Sequence, residues 1–197
     1  MAILLGYVKG DTAYMATDTR INVDDRVHQR TAESDYKIKR LENGILLGVI
    51  SKTADIALQT QAHSEMFTLD KNGRLTKDHI IREIVPKLCA LYKDEGFFAN
   101  EKGEQPYFPG AIMLAHDGKL FEICATLAVV VYERYQALGR VDDLAHYGLT
   151  QMDESKDIGE QLVGILQTVA KRSQLVGAPY LWIDTKEKEY HLVGGEA

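Results

Sequence analysis

The sequence predicts an α+β fold in which two antiparallel sheets stack face to face and pairs of helices cover them. Three observations predict it. Strand-like and helix-like blocks follow one another in the order strands, two helices, strands, two helices, strands. Residues 45–50 are almost uninterruptedly apolar, which suits a strand buried on both faces. Ile158, Leu162, Ile165, Leu166, Val169 and Ala170 recur at helical spacing.

Residues 3–8 read as a buried strand, Lys9-Gly10-Asp11 as a tight turn, and residues 12–21 as a returning strand, so the chain opens on a hairpin. Near the tip of the second strand stand Asp18 and Arg20, which flank Thr19 and therefore share one face of an extended chain. A polar loop over 22–28 leads to a weak strand at Arg30-Thr31-Ala32. Residues 36–41 alternate in the strand manner, and Glu42-Asn43-Gly44 turns them into 45–50.

From Ser51 the period changes. Residues 53–69 fit a moderately amphipathic helix, closed by Asp70-Lys71-Asn72-Gly73. Thr76 is placed to cap a second helix reaching residue 94, which Pro86 kinks or restarts. Residues 96–110 read as a long loop whose Phe97, Phe98, Tyr107 and Phe108 either pack back on the domain or form an interface patch. Strands resume at 111–115, 120–124, 127–132 and 135–139. A helix over 142–152 starts with two acids, as its dipole favours. Ser155 caps the last helix, Gly177-Ala178-Pro179 stops it, and strands at 180–184 and 189–193 close the chain. With no repeat, linker or low-complexity tract, residues 1–197 read as a single domain.

Composition excludes several functions. A net charge of −6 and the lack of any basic run argue against nucleic-acid binding. No apolar run reaches membrane-spanning length, and the opening Met-Ala-Ile-Leu-Leu-Gly lacks the charged lead of an export signal. Cys89 and Cys124 sit in apolar surroundings and read as buried free thiols, which fits a cytoplasmic chain. The histidines are scattered without metal-ligand spacing, and the glycines form no phosphate loop, so neither metal nor cofactor is expected. Asp24-Asp25 and Asp142-Asp143 read as solvated acids.

Thr17-Asp18-Thr19-Arg20 and Lys37-Ile38-Lys39-Arg40-Leu41, with the order of elements down to the closing hairpin, carry a resemblance. The chain resembles the proteasome β-subunit family of N-terminal nucleophile hydrolases, which includes the bacterial proteasome-like peptidase that works with an ATP-driven unfoldase. The resemblance implies a four-layer αββα sandwich of two antiparallel sheets between helix pairs. It also implies a homo-oligomer, with a ring and an ATP-dependent unfoldase as the associated partners, and neither nucleic acid nor membrane. In that family a hydroxyl on the first residue of the mature chain attacks a peptide carbonyl. The resemblance gives Lys37 the part of the ammonium that favours the ionised hydroxyl. It makes Asp18 the carboxylate that balances that lysine, and Arg20 a brace behind them.

Departures from the family pattern are equally specific. The nucleophile position falls on Ala2, which has no hydroxyl. No Gly-Thr, Gly-Ser or Gly-Cys pair occurs in the sequence, so the usual propeptide junction is missing. Arg140 replaces the serine of a Gly-Ser-Gly turn, and the family's late aspartate and serine fall on Ser173 and Val176. As written, the chain is expected not to hydrolyse peptides by this mechanism, and to act as a structural or regulatory subunit. The alternative is an active threonine-type endopeptidase degrading unfolded polypeptides, if the native residue 2 is Thr. A small-molecule amidohydrolase of the same fold is the third reading.

Overall fold

Residues 3–23, 26–29, 32–98 and 107–194 are described by a computed structural model. The chain opens with the hairpin of β1 (Ile3–Lys9) and β2 (Thr12–Asp18), turning at Gly10 with φ +60°. Strands β3 (Arg20–Val23) and β4 (Arg26–Gln29) form a two-stranded ribbon of their own. Strands β5 (Ile38–Arg40) and β6 (Leu46–Ser51) follow, then helix α1 (Ala54–Ala62). Helix α2 (Lys77–His79) continues through a π-helical turn, Ile80–Ile84, into α3 (Val85–Asp94). Next come β7 (Gly110–His116), β8 (Lys119–Ile123), β9 (Val129–Tyr132) and β10 (Tyr135–Gly139). Helices α4 (Asp142–Thr150) and α5 (Ile158–Ala170) lead to β11 (Tyr180–Asp184) and β12 (His191–Val193).

Two five-stranded antiparallel sheets result. The first runs β10-β1-β2-β11-β12 and the second β5-β6-β7-β8-β9. Side-chain alternation sorts these strands into layers. From β1, Ile3, Leu5 and Tyr7 face α4 and α5, while Leu4 and Val8 face the second sheet. From β6, Leu47 and Val49 face α1 and α3, while Leu46 and Ile50 face the first sheet. Three apolar layers between four structural ones make the αββα sandwich.

Two glycines set how closely the sheets approach. A Cβ on Gly6 would lie 2.6 Å from Met113 Sδ, and one on Gly48 would lie 2.7 Å from Met15 Cε. Each glycine on one sheet is thus the socket for a methionine on the other.

Several expectations are corrected. The strand from Thr12 stops at Asp18, and Arg20 already belongs to β3. The loop over 22–28 is mostly the β3–β4 ribbon, whose ladder reads weakly from sequence because polar residues outnumber apolar ones in it. Arg30, Thr31 and the pair Asp24-Asp25 lie outside the described residues. Helix α1 is shorter than 53–69, and Ser64–Met66 forms a separate 3₁₀ turn. The cap of α5 is Asp157, whose Oδ1 accepts from Glu160 N at 2.7 Å, and Ser155 instead bonds Asp153. Thr76 does cap its helix, accepting from His79 N at 3.2 Å. Pro86 lacks an N–H and its ring crowds the carbonyl four residues back, and the π-helical turn upstream widens the helix where that carbonyl lies. Phe97, Phe98 and Phe108 close on Tyr92 at ring-centroid distances of 6.3, 6.1 and 4.5 Å, so these aromatics pack within the chain. Cys89 and Cys124 are free but half-buried rather than buried. Among the described residues no helix is long and apolar enough to cross a membrane.

Candidate functional site

β2 is the central strand of the first sheet, and its last residue, Asp18, is fully buried opposite Tyr180 of β11. Just beyond it the chain leaves the sheet, because Thr19 N donates to Pro179 O at 2.9 Å and Arg20 starts the next ribbon. Lys37 stands immediately before β5 of the second sheet. Its Nζ donates to Asp18 Oδ1 at 2.8 Å and to Arg20 O at 2.6 Å, and its side chain is 6% exposed. A solvated lysine is therefore not what the fold makes of this position. Two opposite charges taken out of water demand this kind of mutual contact.

The segment after α5 forms the far wall. Gly177 N donates to Asp18 Oδ2 over a long 3.4 Å. Arg20 Nη1 donates to Gln174 O at 2.8 Å, and a Cβ on Gly177 would come within 3.2 Å of that same nitrogen. Asp18 and Arg20 thus reach the same segment, as their shared face predicts, although the strand breaks between them. Burial, followed by the charge of Asp18, raises the hydroxyl pKa of Tyr180 above the ordinary tyrosine value.

The N-terminal wall is tied by Thr17, whose Oγ1 donates to Ile3 O at 2.6 Å. Ile3 also pairs with Gly139 of β10, which brings the 139–141 turn to this end of the sheet. Ala2, the position of the missing nucleophile, lies outside the described residues. Thr19 Oγ1 is buried without a hydrogen-bond partner among the described residues.

Of the residues singled out from sequence, Asp18, Lys37 and Arg20 are brought together. Ser173 is not aimed at them, since its Oγ accepts from Leu175 N at 3.2 Å, and Val176 is buried in the layer beneath α4 and α5. Sequence reading missed Thr17, the Gln174 carbonyl and the Gly177 amide. Two of those three are backbone groups, which no residue type announces. The site holds a buried ammonium between a carboxylate and a carbonyl. Among the described residues no three His, Cys, Asp or Glu side chains come together as a metal ion would need.

No protein-family model matches the chain, and no curated protein matches it. Solved structures do. Thiobacillus denitrificans BPH superimposes with a TM-score of 0.71 at 15% identity, covering 92% of this chain and 96% of the other. The same protein in complex with epoxomicin gives 0.69 at 14% identity, over 92% and 97%. Eukaryotic HslV from Trypanosoma brucei gives 0.61 at 15% identity, over 92% and 98%. At such identities the likeness is one of fold, and it spans nearly the whole of each chain.

Proposed function

We propose that this chain, whose fold is that of proteasome-like N-terminal nucleophile hydrolases, is a subunit of that kind without a nucleophile, serving a structural or regulatory role in a homo-oligomeric ring. The observation that carries the reading is the combination of an intact Lys37–Asp18 pair with alanine at position 2. Lys37 would lower the cost of an oxyanion on residue 2, Asp18 would neutralise Lys37, and Arg20 would hold the 174–177 wall against them. With a methyl group at residue 2, that arrangement has nothing to ionise. A ring partner of the ATP-driven unfoldase kind, and a cytoplasmic setting, follow from the same reading.

The intact pair also favours a second reading, an active threonine-type endopeptidase whose natural residue 2 is Thr. Ala2→Thr decides between them. The variant is assayed on unfolded casein and a fluorogenic peptide, with epoxomicin, which the Thiobacillus denitrificans protein binds, as a second probe. Cleavage absent from the parent supports the second reading. No gain, from a variant that assembles as the parent does, supports a subunit that has moved away from catalysis. Native mass spectrometry of the parent tests the ring: about a dozen copies or more supports a chamber, and a monomer or dimer removes the assembly from the proposal.

A further inference from the structure

One transverse row of residues crosses each sheet at the same level. In the second sheet the register aligns Ile38, Gly48, Met113 and Glu122 across β5 to β8. In the first it aligns Gln136, Gly6 and Met15 across β10, β1 and β2. The rows interlock: Met113 fills the socket over Gly6, and Met15 the one over Gly48. Toward the β9–β10 edge the interlock ends in polar chemistry. Glu122 Oε2 accepts from Tyr132 Oη at 2.6 Å and from Gln136 Nε2 at 2.8 Å, and that amide also donates to Tyr132 Oη at 2.6 Å. Glu122 is 9% exposed, the one acid in the apolar run 120–123. A carboxylate so placed is tolerable only while its donors stay in position. One donor comes from its own sheet and one from the facing sheet.

We infer that Glu122, Gln136 and Tyr132 form a latch that holds this edge of the sandwich shut, and that breaking it opens the gap between the sheets locally. The opposite edge is held differently. There Arg40 clasps the carbonyls of Asp184, Thr185 and Glu187, and Tyr190 Oη accepts from Arg40 N. That clasp closes on a turn of backbone, whereas the latch joins two neutral side chains to one carboxylate, beside the Glu133-Arg134 link that carries the chain from β9 to β10.

The protein carries its own reporter. Cys124 lies two residues beyond Glu122, and burial, with Glu122's charge added, pushes its thiol up to about 11. Cys89, on α3, is the internal control. Removing Glu122 would raise thiol reactivity electrostatically as well as by opening, so the informative variants leave the carboxylate in place. Gln136→Ala and Tyr132→Phe each delete one donor. Alkylation of the full chain with iodoacetamide at pH 8, followed by peptide mass mapping, reads both cysteines at once. We expect Cys124 to react roughly tenfold faster in Gln136→Ala, the worth of one hydrogen bond to a charged group, and faster in Tyr132→Phe too, with Cys89 unchanged. Equal acceleration at both cysteines would mean general loosening, and no acceleration at Cys124 would mean no latch. Either result overturns the inference.

Discussion

Lys37 Nζ lies 2.8 Å from Asp18 Oδ1, and while Asp18 ends a strand of the first sheet, Lys37 leads into a strand of the second. The pair therefore cross-links the two sheets at the end of β2, as well as forming the centre of the candidate site. A subunit with no reaction to perform still needs it, because either partner alone would be a buried, uncompensated charge. Retention of these two residues is thus weaker evidence of activity than it looks from sequence.

That argument predicts non-additive mutants. Lys37→Met and Asp18→Asn should each lower stability by about 3–5 kcal/mol, the cost of breaking a buried pair from one side. The double variant should recover a large part of the loss. Urea unfolding followed by circular dichroism gives all three values, and simple additivity would show that the pair is not coupled.

Gly159, in the first turn of α5, faces the indole of Trp182, where an added Cβ would overlap the ring. His191 stacks on the same indole at 3.9 Å, so Trp182 has no room to retreat on that side. Gly159→Ala should destabilise the protein by about 1–3 kcal/mol, the usual penalty for overpacking. Trp182 is the chain's one tryptophan, so a red-shifted emission maximum locates the disturbance. An unshifted spectrum with unchanged stability would refute the clash.

His116 closes β7 and is buried. Burial lowers its pKa below the ordinary 6.5, against a smaller opposing pull from Asp117. The unfolded chain therefore takes up a proton at higher pH than the folded one. The stability this group contributes is present above 6.5 and is lost as pH falls from there through the folded value. The urea midpoint should decline between pH 7.5 and 5.5, and His116→Gln should flatten that decline. An unaltered slope in the variant would assign the titration elsewhere.

What sequence could supply differs by kind of information. The strand at Tyr135–Gly139 was legible to the residue, and the cap at Thr76 was legible because a cap is local chemistry. Asp157 and Ser155 are both good capping types two residues apart, and only the backbone geometry decides which meets the Glu160 amide. The β3–β4 ribbon was not legible, since strand reading relies on one apolar face and this ribbon carries little apolar sequence. At the site, Asp18 and Arg20 stood out as a charged pair at a strand tip, and Lys37 with the roles of all three came from the family resemblance. The 174–177 wall did not, because it works through a carbonyl and an amide. Glu122 did leave a signal, a lone acid inside Leu120-Phe121-Glu122-Ile123, that went unread.

The pairing of β2 with β11 fixes an order of events during synthesis. Asp18 leaves the ribosome well before Gly177, which meets it and follows 159 residues later. Until then β2 has a partner on one side only, and the place of Tyr180 beside Asp18 stays empty. The nascent β1–β2 hairpin thus exposes a long apolar edge, of the sort that invites aggregation, while the residues up to β11 are made. The site cannot take shape on a partial chain. Truncation after α5 would therefore remove the candidate site along with the last two strands, although Asp18, Arg20 and Lys37 would all still be present.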